Sequence, residues 1–237
     1  GEMVNSVRSL DELLPRVYQQ VSKLIPRSGM NIVLHETASD DVVFECCYVY
    51  GVKQKRWKRS FAKNEGLTEW ILTHNKPVLI EDVALERSHL PVPPSPPPFA
   101  EAHQVDIASW LGVPLSLQGQ AIGVIIIWSD QCCQYSETTR NILATIANQV
   151  ATAIDNVYLF SRLSNKQQYQ NALMQSSFDA IVAIDNDKEI TVFNKEAERF
   201  FGYAKEEMIG QRTGELYADI SDAFQTFAEI KAGHAIN

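Results

Sequence analysis

The stretch that decides the fold runs from Ser109 to Ser129 and reads SWLGVPLSLQGQAIGVIIIWS. Apolar and β-branched residues fill both halves, and Gln118-Gly119-Gln120 between them has the composition of a tight turn. We therefore predict a β-hairpin with strands over 109–117 and 121–129. The longest near-continuous apolar run of the chain lies in its second strand. It is far shorter than the roughly 20 residues that a helix needs to cross a bilayer.

Upstream of the hairpin, the spacing of apolar residues predicts further strands and helices. Leucines and valines at helical spacing mark a first helix near the N-terminus. Strands are predicted over 30–35 and 42–52, and a turn-forming segment separates them. A short helix over 67–73 and a short buried strand over 78–80 follow. These elements and the hairpin belong to the first of two units.

The longest predicted helix carries an apolar repeat in steps of three and four. Its members are Leu143, Ile146, Val150, Ala153, Val157 and Phe160, and Leu163 extends the series. Such a repeat is typical of a coiled-coil seam. We therefore expect the helix 143–163 to pair with its copy in a homodimer. The polar run 164–171 contains neither Gly nor Pro, so we expect the helix to continue into the second unit.

A second, smaller unit follows this helix. Strands are predicted over 180–185 and 189–193. Short helices over 196–201 and 206–209 each end at a glycine, and a further helix is predicted around 221–232. The 237 residues therefore divide into two units of unequal size.

Three separated blocks of the first unit resemble the GAF domain family. They are the segment 66–82 with Ile80-Glu81-Asp82, the hairpin with Val113-Pro114-Leu115 and Ile122-Gly123-Val124, and the closing helix from Tyr135 to Asn156. The blocks follow the family's order, and the resemblance covers roughly residues 8–163. It implies an α+β fold in which helices flank a central antiparallel sheet, with a role in ligand sensing or dimerisation.

The second unit resembles the start of a PAS domain. The residues that carry this resemblance are Ser177-Phe178-Asp179-Ala180-Ile181, Ala183-Ile184-Asp185, Phe193-Asn194, Phe201-Gly202-Tyr203 and Glu207-Met208-Ile209-Gly210. The pattern stops before the later strands of a full PAS sheet, so we expect the chain to be part of a longer protein. We predict a GAF domain over 1–163, a helical linker over 164–176 and a truncated PAS domain over 177–237.

Both resemblances imply the sensory input region of a signal-transduction protein. GAF and PAS units in series are typical of sensor histidine kinases in two-component systems and of cyclic-diguanylate cyclases or phosphodiesterases. We expect a histidine kinase as the parent, whose output domain is then a partner of this region. The chain has no glycine-rich phosphate loop, nucleophile elbow or zinc-protease motif, so we expect it to be non-catalytic. A thiol redox sensor, a haem or flavin sensor and a pure dimerisation scaffold are the alternatives.

No residue pattern identifies a ligand, and the sequence requires no cofactor. Trp70 and Trp110 lie in the elements that frame a GAF pocket, so we interpret them as candidate ligand contacts. His103 lies beside the proline-rich segment 91–98, where a lid would fold over a pocket, and haem would require such a histidine. We interpret the proline-rich segment as a surface loop, with a docking site for a proline-reading partner as the alternative. Asn194 is interpreted as a structural residue that caps the following helix.

The four cysteines form two adjacent pairs, Cys46-Cys47 and Cys132-Cys133. This spacing suits neither a disulfide between neighbours nor a zinc motif. We therefore expect reduced thiols, no metal site and a cytoplasmic location. The chain has 21 basic and 29 acidic residues and a formal charge of -8. This acidity disfavours nucleic-acid binding, which requires a basic surface, and the short apolar runs predict no membrane contact.

Overall fold

The computed structural model of the chain describes residues 9–25, 29–61, 66–86, 90 and 106–216. The candidate ligand contact His103, the proline-rich segment 91–98 and the helix predicted around 221–232 lie outside the described residues. The chain divides into two compact units, Gly1–Ser161 and Arg162–Asn237.

The first unit contains seven strands and four helices among its described residues, the last helix continuing past its boundary. In chain order they are α1 (Leu10–Leu24), β1 (Gly29–Glu36), β2 (Asp41–Val49), β3 (Val52–Lys53), β4 (Trp57–Ser60), α2 (Leu67–His74), β5 (Val78–Ile80), α3 (Val83–Glu86), β6 (Ser109–Leu117), β7 (Gln120–Ser129) and α4 (Glu137–Gln175).

All seven strands form one antiparallel sheet in the order β3-β2-β1-β7-β6-β5, and β4 also pairs with β2. Strands β6 and β7 are the predicted hairpin. Gln118 and Gly119 both have left-handed backbone angles, with φ of 51° and 83°, and a turn of this kind matches the twist of the two strands. The prediction of an α+β fold with a central antiparallel sheet flanked by helices is confirmed.

The strand predicted over 42–52 is divided in the structure. Tyr50 and Gly51 form a turn with positive φ, which separates β2 from the short strand β3. The sequence pattern did not predict β4, which has the sequence WKRS and pairs with Asp41–Phe44 of β2. Within β2, Glu45 is an extra residue, because Ile32 pairs with Cys46 and the next residue, Val33, pairs with Phe44. Such a bulge changes the direction in which the side chain points.

The sheet is covered on both faces by apolar layers. One face packs against α1 and α4, and its layer includes Ile32, Cys46 and Ile125. The other face packs against α2, and its layer includes Val33 and Cys47. The adjacent cysteines therefore lie on opposite faces, as side chains of neighbouring strand residues do.

The predicted coiled-coil seam on α4 is corrected by the structure. Leu143, Ile146, Val150, Ala153 and Val157 are buried in the core between α4, α1 and the sheet, so they do not face a second copy. Ala147, Ala151 and Ile154 are buried beside them, which makes the apolar stripe wider than a coiled-coil seam. Phe160 and Leu163 lie beyond this core and are 49% and 68% exposed.

The second unit contains a two-stranded antiparallel sheet and two short helices among its described residues. They are β8 (Val182–Ile184), β9 (Ile190–Phe193), α5 (Lys195–Phe201) and α6 (Lys205–Met208), followed by a 3-10 turn over Thr213–Leu216. Their order and positions agree with the prediction to within two residues at each end. Ile190, Phe193, Ala197 and Met208 form a small apolar core.

Asn194 connects the elements of the second unit through its side chain. Its Oδ1 accepts hydrogen bonds from the backbone N–H groups of Ile181 at 2.8 Å and Ala197 at 2.9 Å, and the latter caps α5. Its Nδ2 donates to the backbone oxygens of Met174 at 3.0 Å and Asp179 at 2.9 Å. The fully buried amide thus connects the end of α4, the segment just before β8 and the start of α5.

We expect Asn194→Ala to destabilise the second unit by about 2 kcal/mol, because four backbone groups lose their partner. The measurement is amide hydrogen exchange, which should accelerate at Ile181 and Ala197. Asn194→Asp is the matched control, since it keeps an acceptor for both amides and loses the two donated bonds, and its effect should be intermediate. Unchanged exchange at both amides in the alanine variant would contradict this role.

Candidate functional site

The α2 face of the sheet is the candidate site. We use this name for the surface formed by Asn31, Phe44, Trp57, Trp110 and Trp128 and the apolar side chains between them. Asn31 and Trp128 belong to the central strands, and Phe44 and Trp57 pair across β2 and β4. All except Asn31 contribute to one apolar cluster with α2. Asn31 shares its side of β1 with Val33, two residues further along the strand, and is therefore a polar group within this layer.

Two tryptophans on this face each lie over a glycine. The indole of Trp128 covers Gly29 of the neighbouring strand, where a Cβ atom would lie 2.0 Å from Cε2 and 2.3 Å from Nε1. Trp110 covers Gly112 of its own strand, where a Cβ atom would lie 2.3 Å from Cη2. The absence of side chains at both glycines therefore leaves room for the rings.

Among the described residues, three polar atoms on the α2 face are buried and have no hydrogen-bond partner: Oδ1 of Asn31, Nε1 of Trp57 and Nε1 of Trp128. Asn31 is 5% exposed and Trp128 is 1% exposed. A buried polar atom without a partner costs about 1–3 kcal/mol, so such atoms are uncommon in folded proteins. One hydrogen-bond acceptor and two donors are thus unpaired on this side of the sheet within the described residues.

The strand register places these three atoms near one another. Asn31 lies directly opposite Cys47 of β2 and two residues along β1 from Gly29, over which the Trp128 ring lies. The Trp57 N–H lies close enough to Cys47 to stabilise its thiolate, yet it makes no hydrogen bond to the neutral thiol. Asn31 and the two indoles thus belong to neighbouring strands of the same face.

A buried ion pair connects β4 with α2 at one side of this face. Nε and Nη2 of Arg59 donate to the two carboxylate oxygens of Glu69 at 2.6 Å and 2.8 Å, and Glu69 is buried. The Arg59 guanidinium lies 5.4 Å from the centroid of the Phe44 ring, which stacks on Trp57 at 3.7 Å. The positive charge of Arg59 is thus satisfied within the protein.

Two of the three residues predicted as ligand contacts, Trp110 and Trp70, lie at the α2 face or beside it. Trp110 is buried in the α2 face, and Trp70 of α2 packs against the edge of the same cluster. The ring of Trp70 stacks on His74 at 4.4 Å between centroids. His103 lies outside the described residues. Asn31 was not predicted from the sequence, although an asparagine inside the apolar strand MNIVL was an available signal.

A separate cavity of about 1010 Å³ opens at the end of β1. Acidic side chains in its lining include Asp11, Glu36, Glu45 and Asp155. Burial raises the pKa of Glu45, and the Arg56 guanidinium, 2.7 Å from Glu45 Oε1, opposes that rise. The acidic side chains are confined to the strand end, and the cavity does not include the three unpaired atoms of the α2 face.

The cysteines lack the surroundings of reactive thiols. Burial raises the pKa of Cys46 to about 11 and that of Cys47 to about 12. Cys132 and Cys133 are exposed in a turn, and a hydrogen bond with Cys132 raises the pKa of Cys133. In the described part of the chain, no three His, Cys, Asp or Glu side chains are grouped to hold a metal ion. Nor does any helix in that part have the length and apolarity needed to span a membrane.

The sequence and the structure both match known domains. The family model of the GAF domain matches residues 7–155, and that of the PAS fold matches residues 168–234. No protein with a curated description matches the chain.

Three similar solved structures are residues 122 to 287 of a methyl-accepting chemotaxis protein, the GAF domain of a phosphoenolpyruvate-protein phosphotransferase from Coxiella burnetii, and the GAF domain of a two-component sensor histidine kinase from Bacillus halodurans. Their TM-scores are 0.54, 0.54 and 0.51, at 17%, 17% and 16% identity. The matches cover 66%, 67% and 65% of this chain and 94%, 90% and 99% of the respective structures. At these identities the likeness shows a shared fold.

We expect Cys46 and Cys47 to react with 5,5′-dithiobis(2-nitrobenzoic acid) at pH 8 on the order of a hundredfold more slowly than Cys132, because burial and a raised pKa suppress the thiolate. Peptide mass spectrometry after timed quenching measures each site. In guanidinium chloride the four rates should converge, which controls for sequence effects. Rapid labelling of Cys46 or Cys47 in the folded protein would contradict the expectation and favour thiol sensing.

Proposed function

The chain belongs to the GAF domain family, and from this we propose that it is the sensory input region of a sensor histidine kinase. GAF and PAS domains are regulatory sensory domains of signalling proteins, and here the two occur in series. In this proposal a small molecule binds the α2 face, and the helix α4 carries the response toward the PAS domain and the output domain. The domain limits are then 1–163, 164–176 and 177–237.

The observation that supports this proposal most directly is the continuity of α4. The helix runs without interruption over Glu137–Gln175. Its residues up to Val157 contribute to the core of the first unit. Near its other end, the carbonyl of Met174 is hydrogen-bonded by the buried Asn194 in the second unit. A shift or rotation of one helix can therefore act on residues of both units.

To test whether α4 transmits the response to the output domain, its helix is interrupted in the exposed part, in the full-length parent protein. Gln167→Pro removes a helical hydrogen bond and kinks the helix, whereas Gln167→Ala leaves it intact. We expect the autophosphorylation rate of Gln167→Pro to differ from the wild-type rate by about fivefold or more. The rate of Gln167→Ala should remain near that of the wild type. Equal rates in all three proteins would overturn the proposal. Synthesis or hydrolysis of cyclic diguanylate without autophosphorylation would favour the alternative output.

We also propose a homodimer that uses the exposed side of α4. Leu159, Leu163 and Leu173 are about half exposed or more, at 48%, 68% and 52%. Their separations of four and ten residues correspond to the a and d positions of a heptad repeat. Pairing of two copies of α4 would cover these side chains while leaving the core stripe of the helix on the sheet.

We expect Leu163→Glu to convert the dimer into a monomer at micromolar concentration, since it places a charge in the centre of the paired surface. Light scattering coupled to size-exclusion chromatography measures the molar mass. Leu85→Glu is the control, because Leu85 is 75% exposed on α3, away from α4, and its substitution should leave the mass unchanged. A wild-type protein that is monomeric under these conditions would contradict the dimer.

A further inference from the structure

We propose that Cys132 and Cys133 form a binding site for monosubstituted trivalent arsenicals, compounds of the type R–As=O. Both sulfur atoms bond to one arsenic atom, which bridges the two neighbouring side chains. The site is separate from the α2 face, and it does not depend on the sensory function proposed above.

The chain contains the Cys-Cys dipeptide twice, and the fold gives the two copies opposite surroundings. Cys46 and Cys47 are buried on β2, where they belong to the apolar layers on opposite faces of the sheet. Cys132 and Cys133 are exposed in the segment between β7 and α4. Cys133 has a left-handed backbone with φ of 57°, and the two thiols share a hydrogen bond. The second pair can therefore offer both sulfur atoms to one ligand from solvent, and the first pair cannot.

Hydrogen bonds to other parts of the first unit fix the position of this turn. The backbone N–H of Cys133 donates to the carbonyl oxygen of Glu81, just after β5, at 2.7 Å. The carbonyl of Gln131 accepts from Ser109 Oγ at 2.8 Å, and its N–H donates to Ser129 Oγ at 3.1 Å. The turn is thus held at the ends of three strands. Binding to such a preorganised site costs less conformational entropy.

The number of available donors limits the class of ligand. Within the described residues, no third His, Cys, Asp or Glu joins the two thiols in a metal-binding group. Structural zinc needs four protein ligands, so two thiols do not suffice. An arsenical R–As=O keeps its organic group as one of three substituents and needs two sulfur atoms from the protein. Its bonds form a pyramid, which suits thiols that lie side by side, whereas two-coordinate soft ions prefer sulfur atoms on opposite sides.

The protonation state of the thiols also favours this class. The hydrogen bond with Cys132 raises the pKa of Cys133, and the nearby carboxylates of Asp82 and Glu81 raise it further. The thiolate, which is the nucleophile toward disulfides and peroxides, is thus suppressed at neutral pH. Trivalent arsenic condenses with protonated thiols, so a raised pKa does not prevent its capture.

The condensation balances without any further reactant. Two As–S bonds form and the As=O bond breaks, while the two thiol protons leave with the oxygen as one water molecule. Arsenic remains trivalent, so neither an oxidant nor a reductant is needed. A direct disulfide between neighbouring cysteines is strained. The arsenic bridge adds one atom to that ring and relieves the strain.

The test is intact-protein mass spectrometry of the reduced 237-residue chain after reaction with phenylarsine oxide. The folded protein should gain the mass of one probe molecule less one water. Excess 2-mercaptoethanol should leave the adduct in place, whereas 2,3-dimercaptopropanol should remove it, because only a dithiol competes with a chelate. In guanidinium chloride both cysteine pairs are accessible, and the chain should then bind two probe molecules.

Cys132→Ser and Cys133→Ser each leave a single thiol in the turn. We expect each variant to weaken the retention of phenylarsine oxide about a hundredfold or more, since the second bond of a chelate forms at a high effective concentration. Cys46→Ala is the matched control, because it removes one thiol from the buried pair. It should leave retention by the folded protein within about twofold. In guanidinium chloride it should lower the number of bound probe molecules from two to one.

Three results would overturn the proposal. The first is a folded wild-type protein that gains no probe mass. The second is binding of two probe molecules by the folded protein, since the surroundings of the two pairs would then make no difference. The third is an adduct of either serine variant that resists 2-mercaptoethanol as the wild-type adduct does. Both cysteines are exposed, so serine at these positions should leave the fold intact, and circular dichroism verifies this.

Discussion

The pairing of β1 with β7 is the constraint on which the first unit depends. These central strands pair from Gly29–Trp128 to Leu34–Gly123, and their register decides which side chains face α4 and which face α2. A slip by one residue would exchange the two faces of β1, placing Asn31 under α4 and Ile32 against α2. At Gly123 a Cβ atom would lie 2.3 Å from the backbone oxygen of Val33, so a larger residue would force these strands apart.

Local features of the fold were predictable, and those that depend on distant residues were not. The hairpin over β6 and β7 follows from two adjacent apolar runs and one turn, all within 21 residues. The element against which α4 packs could not be deduced in this way. Apolar residues spaced three and four apart are compatible with packing against a second helix and with packing against a sheet. The width of the stripe distinguishes them, since Ala147, Ala151 and Ile154 extend it beyond the a and d positions.

Two buried asparagines show why the structural role of one residue was predictable and the candidate site was not. Asn194 caps a helix that begins beside it, so its bond to the N–H of Ala197, three residues away, follows from a short-range rule. The surroundings of Asn31 are set by β2 and β7, and Ile126 of β7 is distant in sequence. Both amides are buried, but within the described residues Asn194 has four partners while Oδ1 of Asn31 has none.

The two apolar layers of the sheet share their backbone, and this gives binding on one face a physical route to the other. Along β1, Asn31 and Val33 face α2 while Ile32 and Leu34 pack in the layer beneath α4. Close-packed interiors resist compression, so a small molecule bound on the α2 face must displace neighbouring side chains or the strands that carry them. A strand that moves takes its opposite-facing residues with it, and Val150 and Ile154 of α4 pack in that same layer. Binding at the α2 face can thus act on α4 without contacting it. This requires that α4 has two alternative positions, and that the ligand-bound sheet packs more favourably against one of them than against the other.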